Sequence, residues 1–116
     1  MPELKKYKMF INGQWVNSDT EKTFETLNPE NNKPWAVVPE ASANDVDKAV
    51  KAAQNAFDGE WPKLLPKERA GYLRMIGVKL RDNAEHLGKI ETIDTGKLYR
   101  ETHKQANYIA EYYDYY

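Results

Sequence analysis

Asp94 stands in the run Glu91-Thr92-Ile93-Asp94-Thr95-Gly96-Lys97, and of all the carboxylates in the chain its position most needs a chemical reason. The run closes an amphipathic helical stretch with a glycine stop. Asp94 therefore falls in the last turn, where a helix already carries partial negative charge. A bound cation would account for the placement. The alternative is a carboxylate that caps or hydrogen-bonds a neighbouring loop with no ion. Glu91 lies one helical turn earlier and the two resemble an acid/base pair, but without a cleft partner they read as a solvated edge beside a structural aspartate.

Other chemistries are closed or weakly marked. The chain has no cysteine, which excludes a thiolate nucleophile, disulfides and cysteine-ligated metal. His86 and His103 are the two histidines; neither stands in an HExxH-type pairing, and both read as ordinary surface residues of polar-faced helices. The glycines at 13, 59, 71, 77, 88 and 96 form no GxGxxG or GxxxxGK[ST] loop, so no phosphate fingerprint is present. Tyr112 and Tyr113 lack the basic interleaving of a base-stacking platform. No catalytic and no cofactor-binding residue is assigned.

Composition narrows the partners. Seventeen basic and 18 acidic residues in 116 leave a net charge of −1, against the clustered basic face that nucleic acid requires. No apolar run approaches the roughly 20 residues that cross a bilayer. The opening Met1-Pro2-Glu3-Leu4-Lys5-Lys6 lacks the apolar core and cleavage site of a secretory signal. The expectation is a soluble cytoplasmic protein with neither a nucleic-acid nor a membrane partner.

The elements that must position these residues follow from period and punctuation. Met9 to Val16 reads as a hairpin, with Asn12-Gly13 supplying the two positive-φ positions of a type I′ turn. Phe24 to Leu27 reads as a short strand broken at Asn28-Pro29. A polar loop runs from Glu30 to Lys33, and Trp35 to Val38 is extended again. Residues 1–40 are thus expected to form a small antiparallel β unit and 42–116 a helical part. Ser42 with Asp45 makes a capping box ahead of a stripe of Val46, Ala49, Val50, Ala53, Ala56 and Phe57 that stops at Gly59. Trp15, Trp35 and Trp61 are expected to anchor the β unit and loops to the helices. Pro66 opens a second helix with Ala70, Leu73, Ile76, Gly77 and Leu80 inward. Asn83 is expected to cap a third, with Ala84, Leu87, Ile90 and Ile93 inward and Gly96 just past its end. A fourth begins near Arg100 and carries Ala106, Ile109, Ala110 and Tyr113. The whole is an α+β segment of a hairpin, short strands and about four helices. Tyr108, Tyr112, Tyr113, Tyr115 and Tyr116 crowd the end of the chain without a cap, which reads as a longer protein continuing.

The collinear order of these signals resembles the N-terminal region of the aldehyde dehydrogenase superfamily. The resemblance is carried by Phe10-Ile11-Asn12-Gly13-Gln14-Trp15-Val16, Thr23 to Pro29, Val38-Pro39-Glu40-Ala41-Ser42 with Asp45 to Ala53, Ala56-Phe57, Pro66 to Ala70, Glu91 to Lys97 and Asp114-Tyr115-Tyr116. It implies the first segment of the α/β cofactor-binding domain. The implied activity is NAD- or NADP-dependent oxidation of an aldehyde to a carboxylic acid through a cysteine nucleophile, an asparagine oxyanion donor and a glutamate base. In that family those parts, the cofactor-binding sheet and the oligomerisation hairpin all lie downstream of the matched stretch. The segment is therefore expected to be inactive, to need the remainder of the enzyme as its partner, and to belong to a homo-oligomer only in the full-length protein. The resemblance also implies a monovalent cation, Na+ or K+, held by oxygens at Thr26, Leu27 and Asp94, with Leu27 giving only its backbone carbonyl. Leu98 departs from the family, where proline often follows the lysine. The competing expectation is a stand-alone helical interaction module without catalytic activity.

Overall fold

The computed structural model describes residues 3–116; Met1 and Pro2 of the opening segment lie outside the described residues. The chain divides into two compact units, one running up to Leu27 and continuing through Asn32–Lys63, the other made of Asn28–Asn31 and Leu64–Tyr116. The strands end at Pro39 and the helices begin at Ala43, yet the first helix groups with the strands.

In the first unit, β1 (Lys5–Lys6), β2 (Met9–Ile11), β3 (Gln14–Val16), β4 (Thr23–Asn28) and β5 (Lys33–Pro39) form two sheets. The hairpin β2–β3 pairs Phe10 with Trp15 across the strands, with Asn12 at φ 51° and Gly13 at φ 76°, as a type I′ turn requires. The second sheet has the order β1-β5-β4, and β1 runs parallel to β5 with Lys5 opposite Ala36. The expected all-antiparallel unit is therefore corrected. A two-residue strand ahead of the hairpin carries no period-2 signal, and β5 recruits it through backbone pairing such as the bond from Tyr7 N to Val37 O at 2.9 Å.

Helix α1 (Ala43–Asp58) starts at the predicted box, with Asp45 N donating to Ser42 Oγ at 3.1 Å and Ser42 N to Asp45 Oδ2 at 3.0 Å. Its expected stripe is a second correction. Asp45 is buried and Ala49 and Ala52 half-buried, whereas Val46, Val50 and Phe57 are 53%, 60% and 67% exposed. The narrow inward face is set by the polar cluster at Asp45, so the bulkier residues of the apolar arc turn outward. A single 3-10 turn at Trp61–Lys63 closes the unit.

The second unit packs α2 (Pro66–Asp82), α3 (Ala84–Thr95) and α4 (Tyr99–Tyr115). Pro66 holds the first helical position and the Glu68 carboxylate accepts from Leu65 N at 2.6 Å. Asn83 does not cap α3 with its side chain; its Nδ2 donates to Lys79 O at 2.9 Å, closing α2 instead. The helices meet through small residues. Ala84 and Gly88 of α3, Gly77 of α2, and Thr102, Ala106 and Ala110 of α4 are buried. Leu87, Ile93, Ile76 and Ile109, expected inward, remain between 37% and 43% exposed. Close ridge-to-groove approach puts the smallest side chains at the contact and pushes larger ones to its flanks. Arg81 of α2 pairs with Asp114 of α4. Among the described residues the buried hydrophobic side chains are four alanines, Ala36, Ala84, Ala106 and Ala110.

Candidate functional site

The most heavily bonded carboxylate is Asp45. Its side chain accepts from Ser42 N, from Ser18 Oγ at 2.9 Å, and from Asp19 N at 3.2 Å, and the residue is 3% exposed. The backbone amide of Ser42, and then the Ser18 hydroxyl, outweigh burial and lower its pKa from 3.8 to about 2. Asp19 is also held below its ordinary value, by the Ser42 hydroxyl and by the Asn44 amide, whose Nδ2 lies 2.6 Å from Asp19 Oδ2. The Ser18 hydroxyl spends its proton on the Asp45 carboxylate, so the Ser18–Asp45 pair is a structural clasp between the post-hairpin turn and α1. The capping box was visible in the sequence. The 27-residue reach from Ser18 to Asp45 was not, and its only local signal is the turn-forming run Asn17-Ser18-Asp19-Thr20.

Asp94 is the penultimate residue of α3 and is exposed. Gly96 follows in the left-handed region at φ 75°, its N–H donating to Thr92 O at 2.9 Å. A Cβ on Gly96 would stand 3.1 Å from Pro29 Cγ, so glycine is required there by both conformation and space. No basic residue occupies the last turn itself, but Lys97 Nζ reaches back to Glu91 Oε1 at 2.8 Å and brings positive charge to the helix end. Thr26, half-buried, and Leu27, 44% exposed, are neighbours on β4 in the first unit, while Asp94 belongs to the second.

Among the described residues no group of three or more His, Cys, Asp or Glu side chains gathers as a metal site. Thr26, Leu27 and Asp94, the expected cation ligands, carry a single carboxylate and are not a group of that kind. His86 is exposed, and His103 is half-buried with its ring 5.7 Å from Tyr99. The glycines cradle no phosphate: Gly77 and Gly88 face the backbone of α4, and Gly13 and Gly96 serve turns. The residues present therefore do not fit the phosphates of a nicotinamide dinucleotide. No helix among the described residues is long and apolar enough to cross a membrane.

Comparison with known proteins gives these features a context. The model of the aldehyde dehydrogenase family matches residues 15–116. The aldehyde dehydrogenase family 2 member C4 of Arabidopsis thaliana is 42% identical over 101 residues, 86% of this chain and 20% of that protein. The (Z)-2-((N-methylformamido)methylene)-5-hydroxybutyrolactone dehydrogenase of Acinetobacter baylyi is 38% identical over 97% of this chain and 23% of its own length. Among solved structures, the NAD-dependent aldehyde dehydrogenase from Sinorhizobium meliloti superposes with a TM-score of 0.92 at 30% identity, over 97% of this chain and 23% of that one. The NAD+ complex of the Bacillus cereus aldehyde dehydrogenase does so at 0.92 and 38%, over 96% of this chain and 23% of that one. The chain thus spans 20% and 23% of the two curated relatives, and the likeness includes the hairpin, β4, β5 and all four helices.

Proposed function

The chain belongs to the aldehyde dehydrogenase family, and on that premise we propose that it is the N-terminal segment of an NAD(P)+-dependent enzyme that oxidises an aldehyde to a carboxylic acid, inactive by itself. The observation that carries the reading is the collinear match over residues 15–116 at 20% of a relative's length. Its apolar surface agrees. Among the described residues the buried hydrophobic side chains are four alanines, while Trp15, Phe57, Met75 and Tyr115 are 67%, 67%, 62% and 83% exposed. Residues of that size are ordinarily the ones a protein buries, so the partner of these faces is the remainder of the enzyme. Homo-oligomerisation and a cytoplasmic location are properties of that larger protein. The test is direct. The purified 116-residue chain with NAD+ or NADP+ and a short aliphatic aldehyde is expected to form no NAD(P)H. Reproducible turnover that tracks the purified chain would overturn the claim of inactivity.

Thr26, Leu27 and Asp94 are proposed to supply oxygens to one monovalent cation. Supporting the reading are the hard oxygen chemistry of the set and the unfavourable position of Asp94 at a helix C-terminus. Because an ion that binds only the folded chain stabilises it by mass action, K+ or Na+ is expected to raise the thermal midpoint above that in choline chloride of equal ionic strength. Asp94→Asn should abolish the difference. Equal midpoints in all three salts would remove the ion and leave Asp94 as a loop-bonding carboxylate.

A further inference from the structure

We propose that Asn12 is the site at which this chain undergoes spontaneous covalent ageing, losing its side-chain amide through a succinimide formed with the Gly13 nitrogen. Asn12 is the one asparagine followed by glycine. Gly13 has nothing within 4 Å of the position of a Cβ, so the attacking nitrogen meets no steric wall. The other asparagines are less suited. Asn28 precedes Pro29, whose nitrogen has no proton; the N–H after Asn44 is Asp45 N, which donates to Ser42 Oγ; Asn55 and Asn107 lie inside α1 and α4, where the next N–H is committed to the helix ladder. Asn17, Asn31, Asn32 and Asn83 are followed by residues that carry side chains.

Ring closure requires Asn12 to leave its φ 51° turn conformation and rotate its carbonyl away. The hairpin allows this. It is a separate two-stranded sheet of three residues a side, and its cross-strand pair Phe10–Trp15, with ring centroids 4.9 Å apart, is 60% and 67% exposed. Isolated two-stranded hairpins are marginal in water, so this one opens locally while the rest of the chain stays folded.

The steps balance without oxidant or reductant. Solvent base removes the Gly13 N–H proton, and the nitrogen attacks Asn12 Cγ. The N–Cγ bond forms, the Cγ–Nδ2 bond breaks, and Nδ2 takes up a proton and leaves as ammonia. Water then opens the ring. Attack at Cγ gives aspartate. Attack at the main-chain carbonyl carbon gives isoaspartate, with the chain routed through the former side chain and one methylene longer. A two-residue type I′ turn cannot absorb that methylene without losing the Phe10–Trp15 register.

The whole chain, incubated at mildly alkaline pH and cut with trypsin, yields the peptide Met9–Lys22, which carries both Asn12 and Asn17. Fragment mass spectrometry should show amide loss at Asn12 more than about tenfold faster than at Asn17, and within about tenfold of the rate in urea, as a marginal hairpin implies. Isoaspartyl methyltransferase should label this peptide, which excludes the Asp58-Gly59 step, and Asn12→Gln should abolish the label on it. Equal rates at Asn12 and Asn17, an Asn12 that reacts only in urea, or labelling of this peptide that survives in Asn12→Gln would each overturn the proposal.

Discussion

Gly88→Val is expected to cost the second unit about 3 kcal/mol and to lower its unfolding midpoint more than any single substitution on its exposed faces. A Cβ on Gly88 would stand 2.9 Å from His103 N and 3.0 Å from His103 Cα. These are backbone atoms of α4, so no rotamer change relieves the clash and the helices must separate. Separation also strains the polar seam behind the contact. The hydroxyl of Thr102, fully buried, lies 2.9 Å from Gly88 O, 3.0 Å from Tyr99 O and 3.0 Å from Thr92 Oγ1. Gly88→Ala should lose less, about 1–2 kcal/mol, since the gain of roughly 1 kcal/mol in helix propensity offsets part of the overpacking. Gly71→Ala is the control. It lies on α2 with nothing within 4 Å of a Cβ, and should gain up to about 1 kcal/mol. Far-ultraviolet circular dichroism through urea titrations reads all three. If Gly88→Ala raises the midpoint as Gly71→Ala does, the close α3–α4 approach is wrong.

The same contact shows what the sequence could and could not reveal. The helix ends were legible because their signals are local: the Ser42–Asp45 box, Pro66 in the first turn, and Gly96 past the last. The inward faces were less so. A period of 3.6 marks an apolar arc wide enough to include Leu87, Ile93, Ile76 and Ile109, but which residues of the arc touch a neighbouring helix depends on how near the axes come. Gly77, Gly88 and Thr102 decide that, and only Gly77 was read as core. β1 was missed because two lysines carry no alternation. At the polar cluster, half of the clasp was visible at Ser42 and Asp45, while Ser18 and Asp19 arrive from across the chain, a contact no local pattern encodes. The oxygens at Thr26, Leu27 and Asp94 came from resemblance alone, since no spacing rule links β4 to the end of α3.

Asp45→Asn is expected to lower the thermal midpoint of the first unit clearly near neutral pH and to bring almost no loss at about pH 2, and the sign follows from its hydrogen bonds. In the folded chain the carboxylate accepts from Ser42 N, Ser18 Oγ and Asp19 N, and its pKa falls from 3.8 to about 2. The folded form thus holds the proton on the order of fifty-fold more weakly than the unfolded chain. A depressed carboxyl contributes its full stability above the unfolded value. That contribution declines as pH falls from near 3.8 and is gone once pH passes about 2, where both states are protonated. An asparagine offers one acceptor oxygen and turns an NH2 toward amides that also donate, so it leaves at least one N–H without a partner. Asp19 is depressed in the same direction, so Asp19→Asn separates the two. It retains the Asp45 clasp and should remove only a smaller part of the acid dependence. Melting curves from about pH 7 down to pH 2 give the comparison. A difference between parent and Asp45→Asn that stays constant over that range would mean the Asp45 contribution is packing rather than charge, and the clasp would have to be rewritten on those terms.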